Sequence, residues 1–166
     1  SSLFRGLSPW VSRLPGGLMH INVIGCGVMA AVSGSSAVTA ATVGRMSIPE
    51  LKARSYDPHM MVGSLAGAGT FGLLIPPSII MIVYGVVAQQ SVARLFIAGL
   101  IPGLMLIVLF SSYIALWSLL NPQRAGAAPA RLPLLDKLRA SRELLPVILL
   151  IVAIIGSIYG GLATPT

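Results

Sequence analysis

Hydrophobic positions in this chain come in long blocks, and the length of each block is what predicts its element. Residues 21–44 are apolar but made of small side chains, and 45–59 are polar, with Arg45, Glu50, Lys52, Arg54 and Asp57. Residues 60–87 are apolar and interrupted by Pro76-Pro77; 96–120 and 144–163 are apolar throughout. A mixed segment, 1–20, carries Arg5, Arg13, Trp10 and a Pro15-Gly16-Gly17 break, and a basic linker rich in Pro, Ala and Gly fills 121–143. A helix rises about 1.5 Å per residue and a bilayer's hydrocarbon core is about 30 Å thick. The runs 96–120 and 144–163 therefore each predict one crossing.

The other two runs do not fit a single crossing. A straight helix over 60–87 would reach roughly 42 Å, and the proline pair removes two backbone donors and disfavours helix at Ile75. Two half-helices are expected, joined by a non-helical segment near Gly69–Ser78. The centre of 21–44 reads Val32-Ser33-Gly34-Ser35-Ser36-Ala37-Val38-Thr39, with little of the bulk that lipid-facing helices use. Two arms of about twelve residues would each reach roughly 18 Å. A re-entrant helical hairpin over 21–48 is expected, its tip near Ser33–Ser36.

Composition turns these elements into a fold class. The chain has 166 residues, 55% hydrophobic and 9% charged, against about 25% charged in soluble domains. The mean hydropathy is +0.91. An all-α integral membrane fold follows, which excludes a cytosolic enzyme, a disulfide-stapled module and a disordered tail. A net charge of +7 suits nucleic acid in a soluble protein, but here the basic residues sit between apolar runs, where they set topology. No nucleic-acid partner is expected. If 21–44 re-enters, segments 1–20, 45–59 and 121–143 share one side and carry every basic residue except Arg94. If it spans, Arg5 and Arg13 move across.

Smaller features have simpler readings. Leu132, Leu134, Leu135 and Leu138 among Asp136, Lys137, Arg139 and Arg142 suit an amphipathic helix lying in the interface. Tyr113 and Trp117 close one spanning run at an aromatic belt. His20 and His59 read as interface residues at run edges, with Glu50 and Asp57 in a loop. Cys26 has no partner in the chain. The opening without Met and the ending at Thr166 read as an internal fragment of a longer membrane protein.

The candidate chemistry follows from the breaks. Ser33, Ser35 and Ser36 would need a base to act as nucleophiles, and none lies at membrane depth, so no catalytic residue is assigned. A hard cation such as Na⁺ or Mg²⁺ needs only oxygen ligands. Helix breaks free backbone carbonyls, and non-helical backbone survives at membrane depth only where it is buried in protein or lines a cavity. Half-helix N-termini favour anions and C-termini favour cations. The candidate cation and substrate residues are Ser33, Gly34, Ser35, Ser36 and Thr39 at the tip, and Gly69, Thr70, Gly72, Pro76, Pro77 and Ser78 at the second break. Na⁺ is placed at Ser33, Ser35, Ser36, Gly69 and Gly72, and Ser78 is expected to cap the second half-helix. The competing reading is that the small residues of 30–44 and 63–72 are close-packing faces and the prolines a plain kink.

At these segments the sequence resembles a known family. Ser33-Gly34-Ser35-Ser36-Ala37-Val38-Thr39-Ala40-Ala41-Thr42-Val43-Gly44 with Ile48-Pro49-Glu50 is similar to the first re-entrant hairpin of the large membrane subunit of TRAP (tripartite ATP-independent periplasmic) transporters, the DctM-like permeases. Ala68-Gly69-Thr70-Phe71-Gly72-Leu73-Leu74-Ile75-Pro76-Pro77-Ser78 resembles that family's broken helix. Phe96-Ile97-Ala98-Gly99-Leu100-Ile101-Pro102-Gly103 is similar to its next helix start, and Tyr159-Gly160-Gly161-Leu162-Ala163-Thr164-Pro165-Thr166 to the opening of its second half.

The resemblance implies an elevator-type secondary transporter in the bacterial inner membrane, multi-pass. It would be a symporter using Na⁺ as coupling ion, importing an organic acid such as a C4-dicarboxylate. A periplasmic solute-binding protein (DctP-like) and a small membrane subunit (DctQ-like) are the partners it implies, with the second inverted repeat lying outside this chain. The alternatives are a non-transporting membrane anchor or assembly subunit, and a carboxylate symporter working without a binding protein. An intramembrane hydrolase is a third and would need a base elsewhere.

Overall fold

Seven α-helices and two 3-10 turns account for the regular structure of this computed structural model, which describes residues 2–12, 14–126, 142 and 145–160. Helix α1 (Ser2–Val11) leads through a 3-10 turn at Gly17–Met19 into α2 (His20–Ser33), and only Gly34 and Ser35 separate α2 from α3 (Ser36–Ala53). Helix α4 (Pro58–Gly69) tightens into a second 3-10 turn, Thr70–Leu73, and residues 74–78 are irregular before α5 (Ile79–Val87). Helices α6 (Val92–Leu120) and α7 (Leu145–Tyr159) follow. The interfacial helix expected around Leu132–Leu138 lies outside the described residues, as do 144 and 161–163 of the last apolar run.

Helix α2 is the centre of the molecule, packed by α1, α3, α4, α6 and the second 3-10 turn. Its Val23, Cys26 and Ala30 are fully buried, and its small residues set how near the neighbours come. A Cβ on Gly27 would lie 2.8 Å from Ile107 Cδ1 on α6. The same holds elsewhere: a Cβ on Gly44 would meet Leu65 at 2.8 Å, and one on Gly67 would meet the Phe110 ring at 2.6 Å. Small residues admit close helix approach in this way. The packing reading of these stretches is therefore correct for Gly44 and Gly67, and it coexists with real helix breaks.

Local chemistry explains where helices begin. The Asp57 carboxylate accepts from the Met60 N–H at 3.0 Å with Pro58 at the first helical position of α4, a combination that satisfies an end donor and presets φ. Ser91 Oγ accepts from the Arg94 N–H at 3.5 Å, so α6 starts four residues before the apolar run does. At 29 residues α6 is about 43 Å long. Among the described residues it is the helix long and apolar enough to cross a membrane. Its Phe96, Gly99, Gly103, Ile114 and Ser118 face the core, while Ile101, Leu104, Val108 and Leu119 are exposed.

Three expectations change. The polar stretch 45–59 is mostly helix, because α3 continues through Pro49 to Ala53. Glu50 is thus helical, not in a loop, and pairs with Arg54 one turn on at 3.4 Å; the true connection to α4 is residues 54–57. The hairpin arms are 14 and 18 residues, not about twelve. His20, at the edge of its apolar run, is packed inside the protein: it is 1% exposed, because the 3-10 turn folds it inward and a ring nitrogen, Nε2, sits 2.8 Å from the Pro15 carbonyl. His59 is exposed.

Candidate functional site

The two helix breaks lie against each other. Gly34 ends α2 with φ +61°, its N–H donating to Ala30 O at 2.9 Å, the left-handed stop for which glycine carries no Cβ penalty. Ser35 is extended and α3 starts at Ser36, so the chain reverses within two residues. At the second break the Pro76-Pro77 peptide is cis and Ser78 is extended before α5 begins.

Three contacts join them. Ile79, first residue of α5, donates its N–H to Gly34 O at 3.4 Å. A Cβ on Gly72 would lie 2.6 Å from both Ser35 C and Ser36 N. A Cβ on Gly69 would lie 2.8 Å from Ala40 Cβ. Backbone meets backbone at the first two, so the absence of side chains at Gly34 and Gly72 is what lets the tip and the break touch. Phe71, fully buried, anchors the 3-10 turn from beneath, its ring edge-to-face with Phe110 at 5.6 Å between centroids.

The tip gathers oxygen. Ser33 Oγ and Thr39 Oγ1 share a hydrogen bond of 2.9 Å, and Ser33 Oγ lies 3.3 Å from Ser35 O. Thr39 is fully buried, whereas Ser33, Ser35 and Ser36 are partly open. No group of three His, Cys, Asp or Glu side chains among the described residues is placed to hold a metal. The oxygens gathered here by the described residues are hydroxyls and backbone carbonyls. The C-terminus of α2 and that of the 3-10 turn meet the N-termini of α3 and α5 in this region, so partial charges of both signs are present.

Two predicted residues behave differently. Ser78 occupies the cap position of α5 but makes no side-chain cap; its buried hydroxyl donates to Leu73 O at 2.9 Å. That bond closes the irregular loop, and the first N–H groups of α5 are left to other partners, Gly34 O being one. Thr70 is exposed and its hydroxyl donates back to Gly67 O at 2.7 Å. Pro76 is buried and Pro77 is half-buried; a Cβ on Gly34 would lie 2.5 Å from the Pro77 carbonyl oxygen. Residues missed from sequence are Ala40, Phe71 and the Ile79 N–H. Only Phe71 left a signal, as the one aromatic residue inside the break.

The family model of the DctM component of tripartite ATP-independent periplasmic transporters matches residues 2–166. The chain belongs to the DctM family. Relatives agree over nearly its whole length. The C4-dicarboxylate TRAP transporter large permease protein DctM of Pseudomonas aeruginosa is 39% identical over 156 residues, 94% of this chain and 36% of the relative. The ectoine/5-hydroxyectoine large permease UehC of Ruegeria pomeroyi is 36% identical over 99% of this chain and 38% of its own. The isethionate permease DctMQ of Oleidesulfovibrio alaskensis is 34% identical over 94% and 24%. This chain thus spans about a third of the length of the first two of these curated relatives. DctM proteins are membrane permeases of TRAP systems, not enzymes, and the resemblance seen in the tip and break motifs holds across the chain.

Proposed function

We propose that this chain forms part of the large permease subunit of a Na⁺-driven secondary transporter, multi-pass in the bacterial inner membrane. It would import an organic acid delivered by a periplasmic binding protein, beside a small membrane subunit. The observation that carries this reading is the meeting of two helix breaks, Ser33–Ser36 against Gly69–Ser78. Ser33 Oγ, Thr39 Oγ1 and Ser35 O cluster there in a region without carboxylates, a donor set that suits a hard monovalent cation. The unspent N–H groups at the start of α3 and α5 suit an acid group of the substrate. The relatives are named for C4-dicarboxylate, ectoine and isethionate, each of which bears an acidic group, so the class is held at small organic acids. One relative joins the M and Q components in its name, which supports a small membrane subunit as partner.

The test replaces Ser33 with Ala and Thr39 with Val together in a full-length permease carrying this segment, reconstituted in liposomes with its partners. Losing two hydroxyl ligands should raise the Na⁺ concentration for half-maximal uptake about thirtyfold, each neutral polar contact being worth about 1 kcal/mol. An unchanged Na⁺ dependence removes these two hydroxyls from the cation site. Uptake that never depended on Na⁺ removes the coupling ion altogether.

A further inference from the structure

Away from the breaks, a cavity of about 470 Å³ opens between α4 and the last turns of α6. Its mouth carries Asp57, His59 and Arg124, its floor is Ser64, and Tyr113 and Trp117 form a wall. A second, apolar hollow of about 420 Å³ continues from it along α6, sharing Tyr113 and Phe110 and adding Leu106 and Leu109. Together they make one groove, polar at one end and hydrocarbon-like along the rest.

The groove is oriented as a lipid is. Trp117 lies in the last turn of α6, which ends at Leu120, so the mouth sits at the membrane–water boundary where such aromatic residues collect. Leu106 lies fourteen positions before Leu120, about 21 Å deeper along the helix. The sequence on this side is basic, with Arg124 followed by Arg131, Lys137, Arg139 and Arg142.

The mouth holds both signs of charge. The turn after α6 folds back so that Asp57 donates its N–H to Arg124 O at 3.3 Å, which brings a carboxylate and a guanidinium to one rim without an ion pair between them. Asp57 Oδ1 is committed to the α4 cap, and neither its other oxygen nor the Arg124 guanidinium has a partner among the described residues. A guanidinium matches a phosphate through two parallel donors. A carboxylate beside it disfavours a headgroup that is only anionic and accepts from a primary ammonium.

We propose that this groove is a phospholipid site selective for a phosphatidylethanolamine headgroup, phosphate on Arg124 and ammonium on Asp57, with one acyl chain along Phe110, Leu106 and Leu109. The site stands apart from the transport reading, since it needs only that α6 spans the bilayer.

The experiment is native mass spectrometry of a full-length permease carrying this segment, delipidated in mild detergent and titrated separately with phosphatidylethanolamine, phosphatidylcholine and phosphatidylglycerol. One tightly held phosphatidylethanolamine is expected, and the other two weaker by about tenfold, the scale of one charge-assisted hydrogen bond. Arg124→Gln should lower retention of all three. Asp57→Asn keeps a capping side chain and should abolish the preference for the ethanolamine over the choline headgroup. Leu109→Trp, filling the groove, should release the lipid without touching the mouth. Elution volume and helical circular dichroism confirm folding of each variant. Preference for phosphatidylglycerol, retention unchanged in Arg124→Gln and Leu109→Trp, or no lipid held because other parts of the permease fill the groove would each overturn the proposal.

Discussion

Ile79 donates its backbone N–H to the carbonyl of Gly34 across 3.4 Å, so the start of α5 is hydrogen-bonded to the end of α2 although 45 positions separate them. Each residue stands at a helix break, and the bond satisfies a donor that the α5 end leaves open and an acceptor that the α2 end leaves open. The tip and the second break are therefore one structural unit.

Gly72 has no room for added volume. A methyl group there must displace the Ser35–Ser36 backbone, 2.6 Å away, while Gly63 has nothing within 4 Å. Gly72→Ala should destabilise by about 1–3 kcal/mol and depress uptake severely. Gly63→Ala, in the middle of α4, should be neutral or stabilise by up to about 1 kcal/mol. Thermal unfolding of the two purified variants decides it, and equal behaviour would mean that the tip and the break do not touch.

The hairpin tip is partly exposed and the native thiol is buried. Cys26 is fully buried, whereas Ser35 is partly exposed. A polar maleimide should leave native Cys26 unmodified and label Ser35→Cys within minutes, with Na⁺ slowing that reaction. Labelling of Cys26 in the folded protein, or a Ser35→Cys that stays unlabelled with and without Na⁺, would contradict the placement of the tip.

Asn22 ties α2 to α4. Its Nδ2 donates to Met61 O at 3.1 Å and to Ser64 Oγ at 2.9 Å, and the side chain is fully buried. Polar bridges between membrane helices average about 0.6 kcal/mol, with a maximum near 1.7. Asn22→Ala should fall in the upper part of that range because it removes both bonds at once. Ser64→Ala, which leaves the Met61 bond in place, should cost less. Unfolding of both variants and the double variant, read as a thermodynamic cycle, measures the pair; strict additivity would show no interaction.

Tyr56 secures the opposite end of α2. Its hydroxyl accepts from the buried Leu18 N–H at 3.2 Å, so Tyr56→Phe strands a backbone donor and should cost about 1–3 kcal/mol. Burial pushes the phenol above its ordinary range, against the opposing pull of the Leu18 N–H and of Arg54. The folded chain therefore holds this proton more tightly than the unfolded one. The stability it confers is complete below the ordinary tyrosine pKa of about 10 and is lost as pH rises through the raised value. A stability profile from pH 8 to 11 should fall more steeply in the native protein than in Tyr56→Phe.

Much of this was readable along the chain. Block lengths located α6 and the two breaks, since a span that is too short or interrupted by Pro76-Pro77 cannot be one rod, and a Ser-Gly-Ser-Ser run has no bulk to face lipid. The tip and break motifs also marked the family. Other features left a false trace. Glu50 reads as loop because charge follows the apolar run, yet it pairs with Arg54 on a helix that continues past Pro49. Ser78 read as a cap because serine before an apolar run usually is one, while its hydroxyl found the nearer Leu73 carbonyl.

Covalent order thus determined which stretches form helix and where helical hydrogen bonding has to stop, because propensity, proline and block length act locally. Which break meets which was decided only in three dimensions. That Gly72 faces Ser35 and Ser36, that Gly34 O reaches Ile79, and that Asp57 and Arg124 share a rim all depend on how α2, α4 and α6 pack. That packing is set by side chains distant in sequence, whose contacts no local pattern records.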